Sequence, residues 1–451
     1  MGGFHAWCSF PAAPFAQKLI LNALKENFPM VTISSSDTIP SDYRTTSSDS
    51  CRSPFLQWCT YDSLDHELTL RDPVSTLASS YTIRKSLTWA IDISFVDELD
   101  EMWSDELWEL GEILDQNDSS LEMSDRKWFI LKPSMSERGV GIRLFSSKEA
   151  LQRIFWDFDS ESSDEETGRT IDGISKRVPD GGDKIIASQL RHFVIQEYLD
   201  KPLLMDPTEA NALRDSPLPR HHRPTKFHLR VYCVASGALT LFVDENILVL
   251  FAGSPYELPS SPNGEQDVDL KAHLTNTSWQ KVTSENPDPN RNVRTLQEMI
   301  GCRILSGPPS NSFEHSCLSE ENVQDIIDQV CEILADVFRA ALETSVHFQP
   351  LPNAFELFGA DLLVTHNLSE NGKTRSPFSV SILELNAEPA IEMTGARLSW
   401  ILEHLFFGIC QTCVAPFIDR SSRKKMTWRI GETMHGLRKC LEVEIRGTKG
   451  W

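Results

Sequence analysis

The sequence lacks the features that would place a protein in a membrane or outside the cell. No run approaches the roughly 20 apolar residues of a membrane span, and no charged stretch followed by an apolar core opens the chain, so no secretory signal is expected. Basic residues are outnumbered, and the net charge of −22 disfavours general binding to nucleic acid or to membrane surfaces. We therefore expect a cytoplasmic protein with no membrane contact and no direct nucleic-acid partner.

Several common catalytic and binding motifs are also missing. No Gly-Lys-Ser/Thr sequence opens a helix as in a Walker loop, and there is no nucleophile elbow, no Ser-His-Asp order and no internal repeat. The ten cysteines include one close pair, Cys410 and Cys413, without a second pair or a neighbouring histidine. A zinc site is therefore disfavoured, and reduced thiols in the protein core are the better interpretation.

The composition is that of an ordinary globular chain of 451 residues, 40% hydrophobic and 24% charged, which is long enough for two or three domains. Helical periodicity over 61–123 and six acidic residues within 157–166 guide the division. We predict an N-terminal domain over 1–123 with a loop-rich stretch at 31–60, a central lobe over 124–235 with an acidic disordered insertion at 156–185, a C-terminal lobe over 236–420, and a basic, poorly patterned tail over 421–451.

Two apolar strands near the C-terminus carry isolated polar side chains. Alternation places Glu384 and Asn386 on one face of the strand 381–386, with Leu383 and Leu385 on the other. A neighbouring strand, 358–364, contributes Asp361. Oxygen ligands of this kind are the ones that Mg²⁺ prefers. The alternative is a buried polar cluster closed by hydrogen bonds.

A third strand, 226–234, places Lys226, His228 and Arg230 on one face. Cationic side chains so close together repel each other unless an anion lies between them, and a polyphosphate would be such an anion. The alternative is the exposed face of an edge strand.

A strand ending at Lys132 leads into a small polar loop with Gly139 and Gly141, and a second strand, 142–145, follows. The glycines would let backbone amides approach an anion closely; the alternative is an ordinary hairpin turn. We also predict a helix capped by Ser147 and a long amphipathic helix capped by Ser319.

The order of these motifs resembles the tubulin–tyrosine ligase family, over roughly residues 80–415. The matching blocks are Lys132-Pro133-Ser134 with Arg138-Gly139-x-Gly141, Gln196-x-Tyr198, Pro202-Leu203-Leu204, Lys226-Phe227-x-Leu229-Arg230-x-Tyr232, His273-Leu274-Thr275-Asn276, Asp361, and Glu384-x-Asn386. The resemblance implies an α/β (α+β) ATP-grasp fold. In this fold the nucleotide is held between two antiparallel-rich sheets, and a smaller N-terminal domain is attached.

The resemblance also implies roles for single residues. Lys85 and Lys132 would contact the phosphates, Gln196 and the backbone near Tyr198 and Leu199 the adenine, and Lys226, Gly139, Gly141, Thr275 and Asn276 other parts of the nucleotide. Arg230 would lie near the γ-phosphate and the acceptor carboxylate, in a catalytic set with Lys226 and His228. Asp361, Glu384 and Asn386 would hold Mg²⁺.

The implied activity is that of a monomeric carboxylate–amine ligase that uses ATP and Mg²⁺. A carboxylate of a protein substrate, in this family usually tubulin, becomes an acyl phosphate and is then converted to an amide by an amino acid. A small-molecule ATP-grasp ligase is a further alternative.

The chain departs from the family pattern at two positions. Many members have Asp where this chain has His228, and Arg where it has Leu250. Both features look like the fungal branch that includes a P-body-associated protein. They favour an alternative in which the protein binds nucleotide without ligating, has partners from mRNA decay and resides in P-bodies.

Overall fold

The computed structural model describes most of the chain in separate stretches. These are residues 3–11, 13–36, 39, 54–60, 63–71, 75–79, 89–93, 96–119, 126–133, 141–163, 192–210, 222–259, 268, 270–275, 292–307, 316–343, 348–367, 376–387, 389, 391–418 and 428–444.

Strands outnumber helices in these stretches. The strands are β1 His5–Ser9, β2 Thr32–Ser34, β3 Phe55–Cys59, β4 Thr76–Ser79, β5 Trp89–Asp92, β6 Phe129–Pro133, β7 Arg143–Phe145, β8 His192–Glu197, β9 Leu204–Met205, β10 Thr225–Ser236, β11 Thr240–Asp244, β12 Leu248–Phe251, β13 Val293–Thr295, β14 Ala354–His366, β15 Phe378–Asn386, β16 Thr433–Met434 and β17 Leu437–Glu442. The helices are α1 Pro14–Asn27, α2 His66–Arg71, α3 Glu98–Met102, α4 Trp108–Ser119, α5 Lys148–Ser163, α6 Glu320–Glu343, α7 Ser399–Ile409 and α8 Ala415–Ile418.

A 13-stranded mixed sheet forms the body of the molecule. Its main path runs β16-β17-β11-β10-β14-β4-β3-β1-β2, with β12 and β9 also paired to β10, β13 paired to β12, and β15 paired to β14. The strands from β10 onward pair antiparallel to one another, whereas β1 to β4 pair in parallel, as β4 also does with β14. The first strands of the chain therefore extend the same sheet that carries the C-terminal strands.

Two hydrophobic clusters cover opposite faces of this sheet. The odd-numbered residues of β10, such as Leu229 and Val231, pack with the apolar stripe of α6. Tyr232 and Val234, on the other face of β10, pack with α1 and α7. Helix α6 begins as predicted, because the Ser319 hydroxyl accepts a hydrogen bond from the Asn322 amide at 3.1 Å.

A separate four-stranded sheet, in the order β5-β8-β6-β7, contacts β15 of the large one through side chains of β6 and β8. One of its faces is covered by α3, α4 and α5 through side chains such as Leu99, Leu110 and Leu151. Residues 89–119 therefore pack with 126–163, and β10 belongs to the large sheet. The predicted domain boundaries near residues 123 and 235 therefore do not coincide with the division of the chain between the two sheets.

Four sequence-based expectations are wrong in their local structure. The loop-rich stretch 31–60 contains β2 and β3, and the helical stretch 61–123 contains β4 and β5. Helix α5, capped by the Ser147 hydroxyl as predicted, continues to Ser163 inside the stretch expected to be disordered from 156; residues 164–191 lie outside the described part. The supposed tail contributes β17, which pairs with β11.

One helical segment, Ala396–Ile418, is long and apolar enough to cross a membrane by length and composition alone, contrary to the expectation that no run approaches a membrane span. Most of it is buried inside the protein, and Ile401, Leu405 and Ile409 pack in the same cluster as α1. It therefore serves as a core helix here. Cys410 and Cys413 lie in it as free, buried thiols, and burial raises the pKa of Cys413 to about 12, which opposes thiolate formation.

Asn353 joins the parallel and antiparallel halves of the large sheet. Its buried amide donates hydrogen bonds to the carbonyl oxygens of Thr69 at 3.1 Å and Thr76 at 2.8 Å. We expect Asn353→Ala to lower the free energy of unfolding by about 3 kcal/mol, because two buried carbonyls lose their donor. Chemical denaturation measures this loss. Asn22→Ala, on the exposed face of α1, is the control; equal stability of the two variants would contradict the prediction.

Candidate nucleotide and metal site

The candidate site begins as a row of charged side chains across three adjacent strands. Arg230 on β10 pairs in register with Asp361 on β14, which pairs with Glu384 on β15. Asn386 follows two residues later, opposite Gly359. The three strands predicted separately from sequence thus bring their polar side chains together at one place on the sheet.

Asp361 is the centre of this row. The Arg230 guanidinium donates to both of its carboxylate oxygens, through Nε at 2.5 Å and Nη2 at 3.0 Å. Burial alone would raise the pKa of Asp361, but the charge of Arg230 and the proximity of His228 lower it well below its usual range. Although burial opposes its charge, Arg230 has its pKa raised by Asp361. Both groups are therefore held in their charged forms.

A β-bulge in β15 aims Glu384 and Asn386 into the site. Asp361 pairs with Glu384 but Leu362 pairs with Ile382, so Leu383 is an extra residue. Ile382 consequently faces the α6 side with Leu362, although it has the same parity as Glu384. The predicted alternation is correct for Glu384, Leu385 and Asn386, and changes at Leu383.

The carbonyl oxygen of this extra residue, Leu383, receives two side chains from the small sheet. Lys132 Nζ lies 3.4 Å from it and Gln196 Nε2 lies 3.5 Å from it. Lys132 and Gln196 share the face of the small sheet that is turned away from its helices, because Lys132 pairs with Val194 and Gln196 with Ile130. The residues predicted to meet phosphate and adenine therefore line the junction between the two sheets.

Lys226 is buried at this junction, with 6% of its surface exposed. Its ammonium donates to the Tyr198 hydroxyl at 3.0 Å and lies 4.3 Å from the centre of the Tyr198 ring. Burial, and secondarily the charge of Lys132, lowers the pKa of Lys226 to about 7. A bound polyanion would relieve both effects.

His228 connects the row to a segment, residues 270–275, that is buried from Ala272 onward. Its Nδ1 lies 2.5 Å from the Thr275 hydroxyl, and its Nε2 lies 3.5 Å from Asp361 Oδ1. Leu250, the second departure from the family pattern, pairs with His228 across β10 and β12. The two departures are therefore neighbours in one small region. The exposed-edge alternative for this face of β10 is wrong, because Lys226 and His228 are buried.

The remaining predicted residues are only partly described. Leu199 lies two residues after the end of β8 and is half-buried, and Gly141 has a φ of 75° before β7, a conformation that favours glycine. Strands β6 and β7 form the expected antiparallel pair. Lys85, Gly139 and Asn276 lie outside the described residues.

The donor set near Asp361 fits a hard divalent cation. Asn386 Nδ2 lies 3.5 Å from Asp361 Oδ2 and 3.3 Å from Glu384 Oε1, so two carboxylates and one carboxamide converge. Within the described stretches no group of three or more His, Cys, Asp or Glu side chains is placed to hold a metal. Any metal here would therefore depend on the Asn386 oxygen and on ligands from the nucleotide.

Sequence reasoning missed three contributors to the site. They are the Tyr198 side chain, expected only through its backbone, the Leu383 carbonyl, and His273, whose Nδ1 lies 2.9 Å from the Tyr198 hydroxyl. The change from apolar Ile382 to polar Glu384, two positions that a regular strand would place on one face, is the one signal that could have indicated the bulge.

Comparison with known proteins identifies the family of the chain. The family model described as "Tubulin-tyrosine ligase family" matches residues 80–422. A probable tubulin–tyrosine ligase of Schizosaccharomyces pombe is 30% identical over 449 residues, which is 91% of this chain and 92% of that protein. The probable tubulin–tyrosine ligase PBY1 of Saccharomyces cerevisiae is 36% identical over 363 residues, which is 79% of this chain and 41% of that protein.

A solved structure shares the architecture. The C-terminal domain of Pby1 from K. lactis, described as an ATP-grasp enzyme interacting with the mRNA decapping enzyme Dcp2, superposes with a TM-score of 0.57 at 24% identity, covering 98% of this chain and all of that domain. Two facing sheets with a charged row at their junction thus define an ATP-grasp fold. The chain belongs to the tubulin–tyrosine ligase family.

Proposed function

We propose that this protein is an ATP- and Mg²⁺-dependent carboxylate–amine ligase. The observation that carries the proposal is the row of Arg230, Asp361 and Glu384 beside the buried Lys226, at the junction of two sheets. Charges of both signs, fixed before any ligand arrives, favour a metal–polyphosphate complex over a neutral ligand.

Residues from both sheets would contact the nucleotide at the junction. Lys132 and Gln196 would exchange their contacts with the Leu383 carbonyl for the phosphates and the adenine. Lys226 would hold its proton once phosphate oxygens replace its apolar surroundings. Asp361, Glu384 and Asn386 would hold Mg²⁺, which when bound neutralises charge on the transferring phosphoryl group.

Arg230 would stabilise the chemical step. An acceptor carboxylate oxygen attacks the γ-phosphorus, and the bond to the ADP oxygen breaks, which leaves an acyl phosphate and ADP. An amino group then attacks the acyl carbon, phosphate leaves, and an amide forms after loss of a proton. Arg230 is charged and positioned by Asp361. It would bind the oxygens of the phosphoryl group, which is transferred in the first step and leaves as phosphate in the second.

The names of the relatives indicate the substrate class. Both fungal proteins are named as probable tubulin–tyrosine ligases, so we propose a protein carboxylate, with tubulin first, as the acceptor and an amino acid as the donor. A cytoplasmic, monomeric enzyme is consistent with this substrate.

A second candidate function rests on His228 and Leu250. An imidazole carries no negative charge and accepts at most one hydrogen bond, so it cannot replace a carboxylate that accepts several, and leucine cannot bind a substrate carboxylate. The related K. lactis domain is described as interacting with Dcp2. We therefore also consider a nucleotide-binding protein without ligase activity that binds mRNA-decay factors in P-bodies.

Ligand-dependent stability and a ligation assay test these functions in turn. At 100 times its dissociation constant, Mg-ATP should add about 2.7 kcal/mol to the free energy of unfolding, measured as a shift in Tm.

Labelled amino acids are then offered with tubulin, with short peptides and with no acceptor. Incorporation into tubulin would support the first function, and turnover with amino acids or peptides alone would indicate a small-molecule ligase. A Tm shift without any ligation, with a decapping enzyme retained on the protein, would support the second. No shift at ATP well above millimolar would contradict all three.

A further inference from the structure

A short segment, residues 270–275, contacts both sheets at the candidate site; we call it the strap. Its first residue, Leu270, packs together with Val268 against Trp128, Leu144 and Tyr198 of the small-sheet lobe. Its last residue, Thr275, reaches His228 on β10 of the large sheet. Residues 272–275 are all buried, so the strap is fixed on both sides of the junction.

The strap is attached to β10 at two positions on the same face. His273 is linked to Lys226 through the Tyr198 hydroxyl, with distances of 2.9 and 3.0 Å. Thr275 is linked to His228 directly. Two attachments to one face of one strand fix both the position of the strap and its rotation. The Thr275 hydroxyl therefore has a defined place relative to the row of charges.

His228 has a second nitrogen that points to the other side of the site. Its Nε2 is buried and lies 3.5 Å from Asp361 Oδ1, and it has no hydrogen-bond partner at normal distance among the described residues. A proton on Nε2 lets the Thr275 hydroxyl donate to Nδ1 while Nε2 donates toward the carboxylate. A shift of a few tenths of an ångström would complete this second hydrogen bond.

We propose that His228 is a positioning residue which couples the strap, through Thr275, to the carboxylate of Asp361, so that nucleotide and divalent cation bind cooperatively. The inference rests on the proposed function, because it requires nucleotide near the strap and a cation near Asp361. His228 contacts no reacting atom in this role. Its two ring nitrogens hold Thr275 and Asp361 in one arrangement, so a nucleotide that favours this position of Thr275 also favours this position of Asp361, and the reverse holds by linkage.

The test measures coupling rather than activity. The dissociation constant of ATP is determined by calorimetry in EDTA and at saturating Mg²⁺, and the ratio of the two constants is the coupling factor. We expect Thr275→Val, which removes the hydroxyl at constant shape, to reduce this factor about five-fold, the effect of one buried hydrogen bond. Thr275→Ser keeps the hydroxyl and should retain the wild-type factor within about two-fold.

A second variant acts on the other end of the link. His228→Asn keeps a polar atom near the position of Nδ1 but loses Nε2, and it should reduce the factor as Thr275→Val does. Unfolding without ligand verifies that each variant is folded. A wild-type factor in either Thr275→Val or His228→Asn would overturn the link, even if ATP binding in EDTA weakened. If the wild-type protein bound no ATP under either condition, the proposed function would fail and the link with it.

Discussion

Replacing Lys226 by methionine is expected to make the free protein more stable and unable to respond to Mg-ATP. The lysine is buried, and its pKa falls from 10.5 to about 7. Each unit of this lowered pKa corresponds to about 1.36 kcal/mol of destabilisation of the folded protein, and the hydrogen bond from Lys226 to Tyr198 offsets part of it. Lys226→Met should therefore raise the free energy of unfolding at pH 6 by on the order of 3 kcal/mol. The same variant should lose the Tm shift given by Mg-ATP, because the phosphates lose a buried cation.

The gain has a defined pH dependence. Between pH 7 and about 10.5 the unfolded chain holds the Lys226 proton more strongly than the folded protein does, so wild-type stability rises with pH in this window. The difference between Lys226→Met and wild type should therefore be largest below pH 7 and fade toward pH 10. Urea denaturation at several pH values measures it. Lys127→Met, at an exposed lysine, is the control; a gain independent of pH would refute the buried-cation explanation.

Replacing Glu384 by glutamine should abolish the dependence on Mg²⁺. Glutamine has the same shape but no charge, so the cation would lose one of its two carboxylates while the backbone pairing with Asp361 remains. We expect ATP turnover to fall by about 100-fold or more and the Mg²⁺-dependent part of the Tm shift to disappear. Turnover is measured as phosphate release with acceptor present.

The matched control for this change is Glu332→Gln on the exposed side of α6. It removes the same charge from the same protein without touching the site, so it should retain wild-type turnover and Mg²⁺ response. Undiminished turnover in Glu384→Gln would exclude Glu384 as a cation ligand. An equal loss in both variants would mean that net charge, rather than the site, controls binding.

The strands that carry the site were predictable because each signals itself locally. β10 alternates cleanly, β14 and β15 are apolar strands with isolated polar residues, and such a residue needs a partner, so Arg230, Asp361 and Glu384 stand out within their own segments. Their meeting in one row depends on pairing register. The motif order of the family implies that register, whereas periodicity does not.

The elements that were missed depend on distant partners. β2 and β16 are too short and polar to show alternation, and each becomes a strand because an edge of the large sheet is available to it. The acidic end of α5 reads as disordered by charge, yet Phe155 and Phe158 anchor its preceding turns in the small-sheet core. The Tyr198 hydroxyl meets Lys226 and His273 only after three separate segments have come together.

The bulge at Leu383 determines which mutations the site would tolerate at this position. The Leu383 carbonyl faces Lys132 and Gln196, so many side chains could replace leucine there. Deleting the residue is different, although a regular ladder would still pair Ile382 with Leu362 and Glu384 with Asp361, so that both side chains would keep their present faces. The deletion would instead remove the carbonyl that Lys132 and Gln196 contact. This position should therefore tolerate exchange of residue type, whereas its loss should weaken the contact between the two sheets rather than misplace Glu384 and Asn386.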